Sequence, residues 1–150
     1  MVKQVTQVVS INGKRLFRGS RPENPSDLYG FNYVLSLETG AFEFFHGLEK
    51  QEKQWCRDLD INYQCHPTSD IFGPDLPELA LNHYYIKNCL QFGDVLVHCL
   101  HGEDRTGMQM AYWRIKEDKW PVYKAIQEMY DFGFHKTFYF WWIDRLRALK

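Results

Sequence analysis

Asp94-Val95-Leu96-Val97-His98-Cys99-Leu100-His101-Gly102-Glu103-Asp104-Arg105-Thr106-Gly107 is the stretch on which the reading of this chain turns. Asp94 to His98 is a short apolar run, the pattern of a strand buried on both faces. A helix follows from about Arg105 to Lys116, so a short loop joins a buried strand to a helix N-terminus. The N–H groups of that loop and of the first helical turn then surround one point, where the helix dipole is positive. Such a ring of amides is an anion nest. A cysteine at the strand end points its sulfur into the nest, where a thiolate is stabilised and can act as a nucleophile. Arg105 supplies a planar fork for two oxygens of an oxyanion and offsets charge in a transition state. Thr106 can hydrogen-bond the sulfur, and Gly102 allows close approach of the backbone. The expected anion-binding residues are Leu100, His101, Gly102, Glu103, Asp104, Arg105 and Thr106.

Working outward, residues 4–10 and 15–18 read as β segments around the turn Asn12-Gly13. A short helix begins at Ser26, and Tyr33 to Leu37 is a strand. Residues 48–59 set Leu48, Glu52, Trp55 and Leu59 on one face of an amphipathic helix, and Asn62 to His66 is the next strand. Ile71 to Asp75 is a loop marked by Gly73 and Pro74. Pro77 suits a first helical turn, after which Leu81, Tyr84, Tyr85 and Cys89 form a stripe. Past the central segment, Pro121 opens a helix with Val122, Ala125, Ile126, Met129 and Tyr130 inward. A last helix is expected to bury Phe138, Trp141, Trp142, Leu146 and Leu149. Strand and helix alternate around one buried strand, which predicts an α/β fold with a mainly parallel sheet flanked by helices. No repeat or linker interrupts residues 1–150, so one domain is expected.

The 150 residues are 45% hydrophobic and 25% charged, ordinary for a globular chain, and long enough to bury a sizeable core. The net charge of −1 gives no overall field toward nucleic acid or anionic lipid, so any attraction for an anion is local. No run approaches the ~18 apolar residues of a membrane span, and no stable membrane insertion is expected. The four cysteines, Cys56, Cys65, Cys89 and Cys99, include no CxxC pair, and the N-terminus lacks the pattern of a secretion signal. Reduced thiols and a cytoplasmic setting follow as expectations.

His98-Cys99-x5-Arg105-Thr106 resembles the phosphate-binding signature of the cysteine-based protein tyrosine phosphatases, in their small dual-specificity-like branch. Leu16 to Pro22, the short helix after it and Val34 to Leu37 resemble the N-terminal part of the same enzymes. The resemblance implies a phosphomonoester hydrolase that works through a phosphocysteine intermediate, with no metal or organic cofactor. It also implies a mobile loop ahead of the signature that carries the general acid. In the loop His66 to Asp75, Asp70 is the first candidate, because Asp70-x3-Pro74 resembles the corresponding loop of the inositol polyphosphate phosphatases of this type. Asp75 is a weaker candidate that could simply cap the next helix. Glu103 and Asp104 depart from many relatives, since two carboxylates oppose both a thiolate and an incoming anion. An aspartate immediately before the arginine does occur in the myotubularins, so Asp104 rivals Asp70.

The expected substrate is a phosphorylated small molecule, first an inositol polyphosphate, or else a phosphoprotein. A rhodanese-like sulfurtransferase and a phospho-ligand-binding pseudophosphatase are more distant alternatives. Cys56, Cys65 and Cys89 read as buried apolar thiols. His98-Cys99-x-His101 has the residue types of a metal site, but no second ligand pair follows. His98 is expected to orient the loop, His101 to face the rim, and Arg18 and Arg21 to tie the N-terminal segment to the sheet.

Overall fold

A computed structural model describes residues 5–39 and 43–149, with the side chains of 43–48 outside that description. β1 (Thr6–Ile11) and β2 (Lys14–Gly19) form an antiparallel hairpin through Asn12-Gly13. Gln4, the first residue of the expected segment, lies outside the described residues. A 3-10 helix, Pro25–Leu28, follows; the Asp27 carboxylate accepts the N–H groups of Glu23 and Asn24 and fixes its entry. The chain continues through β3 (Tyr33–Ser36), α1 (Glu43–Asp58), β4 (Asn62–Cys65), α2 (Leu76–Cys89) and β5 (Val95–His98). Three helices close it: α3 (Arg105–Lys116), α4 (Val122–Asp131) and α5 (Trp142–Arg147).

The strands lie in the order β1-β2-β5-β3-β4, and every pairing from β2 onward is parallel. β5 is central, with Gly19 opposite His98 on one side and Ser36 opposite it on the other. The parallel strands therefore end level, and the segments that follow them, from Ser20, Leu37, His66 and Cys99, emerge along one edge. Strand alternation sends Val34 and Leu96 to one face with Cys56 of α1. Leu35, Val95 and Val97 face the other way, against Ile86 of α2 and Met110 and Trp113 of α3. α4 and α5 pack on α3 through Ala125, Met129, Trp142 and Leu146. The α/β class and mainly parallel sheet read from the sequence are those observed.

Three expectations are corrected. α1 begins at Glu43, earlier than residue 48, and the side chain of Leu48 lies outside the described ones. The buried face of α2 is Leu79, Asn82, Ile86 and Cys89, while Leu81 and Tyr84 are exposed. Asn82 hid this face: it turns inward because its Oδ1 meets His66 Nδ1 at 2.6 Å. In the last helical segment Trp142 and Leu146 are buried, but Phe138 and Trp141 are exposed. Residues 135–141 are turns rather than helix, so only Tyr139 and Trp142 swing inward.

Candidate active site

Cys99 leaves the end of β5 and is 3% exposed, at the floor of a cleft of about 190 Å³. Asp70, Leu100, His101, Asp104, Arg105, Tyr139 and Trp142 line the same cleft. The loop from Leu100 to Asp104 is held from outside by its carbonyls. Arg21 N–H donates to the Leu100 carbonyl at 3.1 Å, and Arg18 Nη2 donates to the Gly102 carbonyl at 2.8 Å. In a trans peptide the C=O and the following N–H point opposite ways. Tying those carbonyls outward turns the N–H groups of His101 and Glu103 toward the cleft. Among the described residues, no N–H from Leu100 to Asp104 pairs with a backbone carbonyl. Two arginines of the N-terminal segment thus give the loop the peptide orientation that an anion nest needs. Burial lowers Arg18 to about 10, and its guanidinium lies over the Phe132 ring.

Gly102 is also demanded by its surroundings. Its φ is +73°, and a Cβ there would stand 2.5 Å from the Gly19 carbonyl oxygen. Packing on the end of β2 therefore requires a glycine here. Arg105 is 8% exposed, and its Nη1 donates to the carbonyls of Thr68 at 3.2 Å and Leu37 at 3.4 Å. Its fork is therefore fixed against the ends of two other strand-loop segments. The Thr106 hydroxyl is buried and has no hydrogen-bond partner among the described residues.

Behind the loop, His98 is fully buried and its Nε2 meets Glu52 Oε1 at 2.6 Å. Burial opposes a charge on this ring, but the carboxylates of Glu52 and Glu38 outweigh it and raise the His98 pKa above its ordinary value. Glu38 in turn receives the fork of Arg21. Asp104 accepts from the N–H of His135 at 2.8 Å and meets its Nδ1 at 2.8 Å. That hydrogen bond is the main reason the His135 pKa is raised. Asp70 lines the cleft and is exposed, and Asp75 is the cap of α2, its carboxylate accepting from the Glu78 N–H.

Among the described residues, two groups bring three metal-ligating atoms together: Glu38, Glu52 and His98, and Glu103, Asp104 and His135. In both, the histidine is engaged by a carboxylate, and His101 belongs to neither. Burial pushes Cys56 up to about 12 and Cys65 up to about 11, and raises Cys89, so these three are thiols at neutrality. The sequence reading missed Tyr139 and Trp142 as cleft residues, taking the aromatic run as core. The signal was their three-residue spacing, which sets both on one side while Phe138, Phe140 and Trp141 point away.

No protein-family model matches the chain. Over 42 residues it is 45% identical to the dual specificity protein phosphatase TpbA of Pseudomonas aeruginosa, a match covering 28% of this chain and 19% of that protein. The chain thus matches about a fifth of the length of this curated relative. Across the fold, it superposes on a Cys-to-Ser variant of P. aeruginosa TpbA in complex with pTyr with a TM-score of 0.72 at 21% identity, covering 90% of this chain and 80% of that one. The core catalytic domain of PP-IP phosphatase SIW14 from S. cerevisiae gives 0.73 at 19% identity, with coverage of 90% and 80%. Kinase associated phosphatase gives 0.72 at 15% identity, with coverage of 99% and 98%. The fold is that of the cysteine-based protein tyrosine phosphatases. In this phosphatase fold, the chain sets Cys99, Arg105 and Asp70 around one cleft at the ends of the parallel strands.

Proposed function

We propose that this chain is a cysteine-dependent phosphomonoesterase whose first substrate class is an aryl phosphate carried on a peptide, phosphotyrosine. The carrying observation is that Cys99, Arg105 and an outwardly tied amide loop share a cleft with a carboxylate on another loop. Cys99 sulfur attacks phosphorus, forming the S–P bond as the ester P–O bond breaks, and Asp70 gives its proton to the departing oxygen. Water then attacks phosphorus, Asp70 takes its proton, and the S–P bond breaks to release phosphate. Arg105 and the amides of Leu100 to Thr106 hold the equatorial oxygens throughout. The buried Thr106 hydroxyl is available to hydrogen-bond the sulfur as it leaves. No metal or organic cofactor takes part in these steps.

Two features favour an aryl monophosphate. Tyr139 stacks on Trp142 at 4.2 Å as one wall of the cleft, a surface for a ring. Asp70 and Asp104 stand at the mouth with Glu103 close by, where further phosphates of a polyanion would meet carboxylates. An inositol polyphosphate is the second reading, favoured by Asp70-x3-Pro74 and by the likeness in fold to SIW14.

The test is phosphate release from phosphotyrosyl peptides, p-nitrophenyl phosphate and inositol polyphosphates. Cys99→Ser should lose at least a hundredfold in kcat while retaining phosphate binding, since the nest is backbone and Arg105. Retained turnover removes the nucleophile assignment, and selective turnover of the polyphosphates moves the conclusion to the second reading.

A further inference from the structure

The walls of the cleft continue outward as an apolar surface that catalysis does not use. Ile71 and Phe72 follow Asp70 on the loop ahead of α2, and Phe138, Phe140 and Trp141 alternate with the cleft residues Tyr139 and Trp142. Each of these five keeps between 40% and 71% of its surface exposed. The two segments touch: Trp142 Nε1 donates to the Ile71 carbonyl at 3.3 Å, and Arg145 Nη1 donates to the Pro74 carbonyl at 2.9 Å. Phe140 and Trp141 pack edge to face at 5.3 Å, and Trp141 meets the ring of the cleft residue Tyr139 at 6.2 Å, which ties these outward aromatics to the cleft wall. Large apolar side chains gathered on a soluble surface mark a contact site.

Resting on the phosphatase reading above, we infer that this surface binds the residues flanking the phosphotyrosine of a peptide substrate and selects large apolar side chains there. With phosphate on Arg105 and the aryl ring against Tyr139, the peptide on either side of that ring leaves the cleft across these residues. Charge separates this occupant from a bilayer. Exposed groups of both signs flank the patch along the chain, Asp70 and Asp144 against Lys136 and Arg147, with Arg147 paired to Asp144 at 3.0 Å. A surface seated on anionic lipid needs an excess of Lys and Arg, whereas a peptide's apolar side chains need only the aromatic area.

The experiment compares two phosphotyrosyl peptides of equal length and charge, one with Leu or Phe at the two positions on each side, the other with Ser. The apolar peptide should have a kcat/KM about tenfold higher, as a few well-placed contacts supply. Phe72→Ser and Phe140→Ser, both at exposed positions, should each cut that ratio to about threefold or less. Equal kcat/KM for the two peptides overturns the inference, as does a preference that survives both substitutions. Faster turnover of a phosphorylated lipid in anionic vesicles than of either peptide also overturns it, in favour of a membrane. Cys99-dependent turnover of p-nitrophenyl phosphate separates the two levels: its presence without peptide preference sinks this inference alone, and its absence sinks the phosphatase reading as well.

Discussion

Two carboxylates line the cleft, and they stand in different surroundings. Asp104 is engaged by the backbone and the ring of His135 and begins α3 beside Arg105. Asp70 stands exposed on a separate loop of the same cleft, and the mechanism proposed above makes it the acid. A general acid supplies ~10²–10⁴-fold, and only in proportion to how poor the leaving group is. Asp70→Asn should therefore slow an alkyl phosphate by that factor and p-nitrophenyl phosphate far less. Asp104→Asn should leave the dependence on leaving group as in the wild type. Plotting kcat against leaving-group pKa for both variants decides it, and the reverse pattern makes Asp104 the acid. At this scale the sequence was most legible. Cys99, Gly102 and Arg105 are set by local spacing that chemistry and backbone geometry require. The clamp of His135 on Asp104 was not legible, because it joins residues 31 positions apart through a turn that only the packing of α4 and α5 defines.

Among the elements, α5 acts as the support of the loop that carries Asp70. Gly73 has φ +66°, and a Cβ there would stand 2.4 Å from the Trp142 ring. With the bonds from Trp142 to Ile71 and from Arg145 to Pro74, this contact makes six helical residues the backing of the loop. Gly73→Ala should cost roughly 1–3 kcal/mol through strain and overpacking, read as a lower Tm. It should also slow an alkyl phosphate more than an activated aryl phosphate, because it displaces Asp70 and leaves Cys99 in place. Equal slowing of both substrates would detach the loop's support from its acid. The periodicity that placed the inward face of α4 failed on α2 and near α5 for definite reasons. Asn82 is polar but buried on His66, and the aromatic run from Phe138 mixes cleft, core and surface within five residues.

Across the whole molecule, the His98–Glu52 pair joins α1 to the end of β5, behind Cys99. The strand pattern marked His98 and the helix pattern marked Glu52 as inward, but their meeting depends on how α1 lies on the sheet, which no local pattern records. This pair also sets how stability depends on pH. The raised His98 pKa means that the folded state binds its proton more tightly, so this contribution is full below about 6.5 and is lost as pH rises through the raised value. His135, also raised, acts in the same direction from an exposed position. His83 opposes them at the acid end: burial lowers its pKa, so its contribution is present above about 6.5 and falls away below. Asp94 is lowered too, because its bonds from Arg15 outweigh its desolvation, and its contribution disappears as acid protonates it. Urea unfolding across about pH 6 to 9 should thus show stability declining on the alkaline side. Glu52→Gln keeps an acceptor for His98 but removes the charge, and it should flatten that decline. Glu52→Ala should cost about 3–5 kcal/mol, as loss of one partner of a buried pair does. An alkaline decline of unchanged slope in Glu52→Gln would show that the charge of Glu52 behind Cys99 is not what ties stability to the His98 proton.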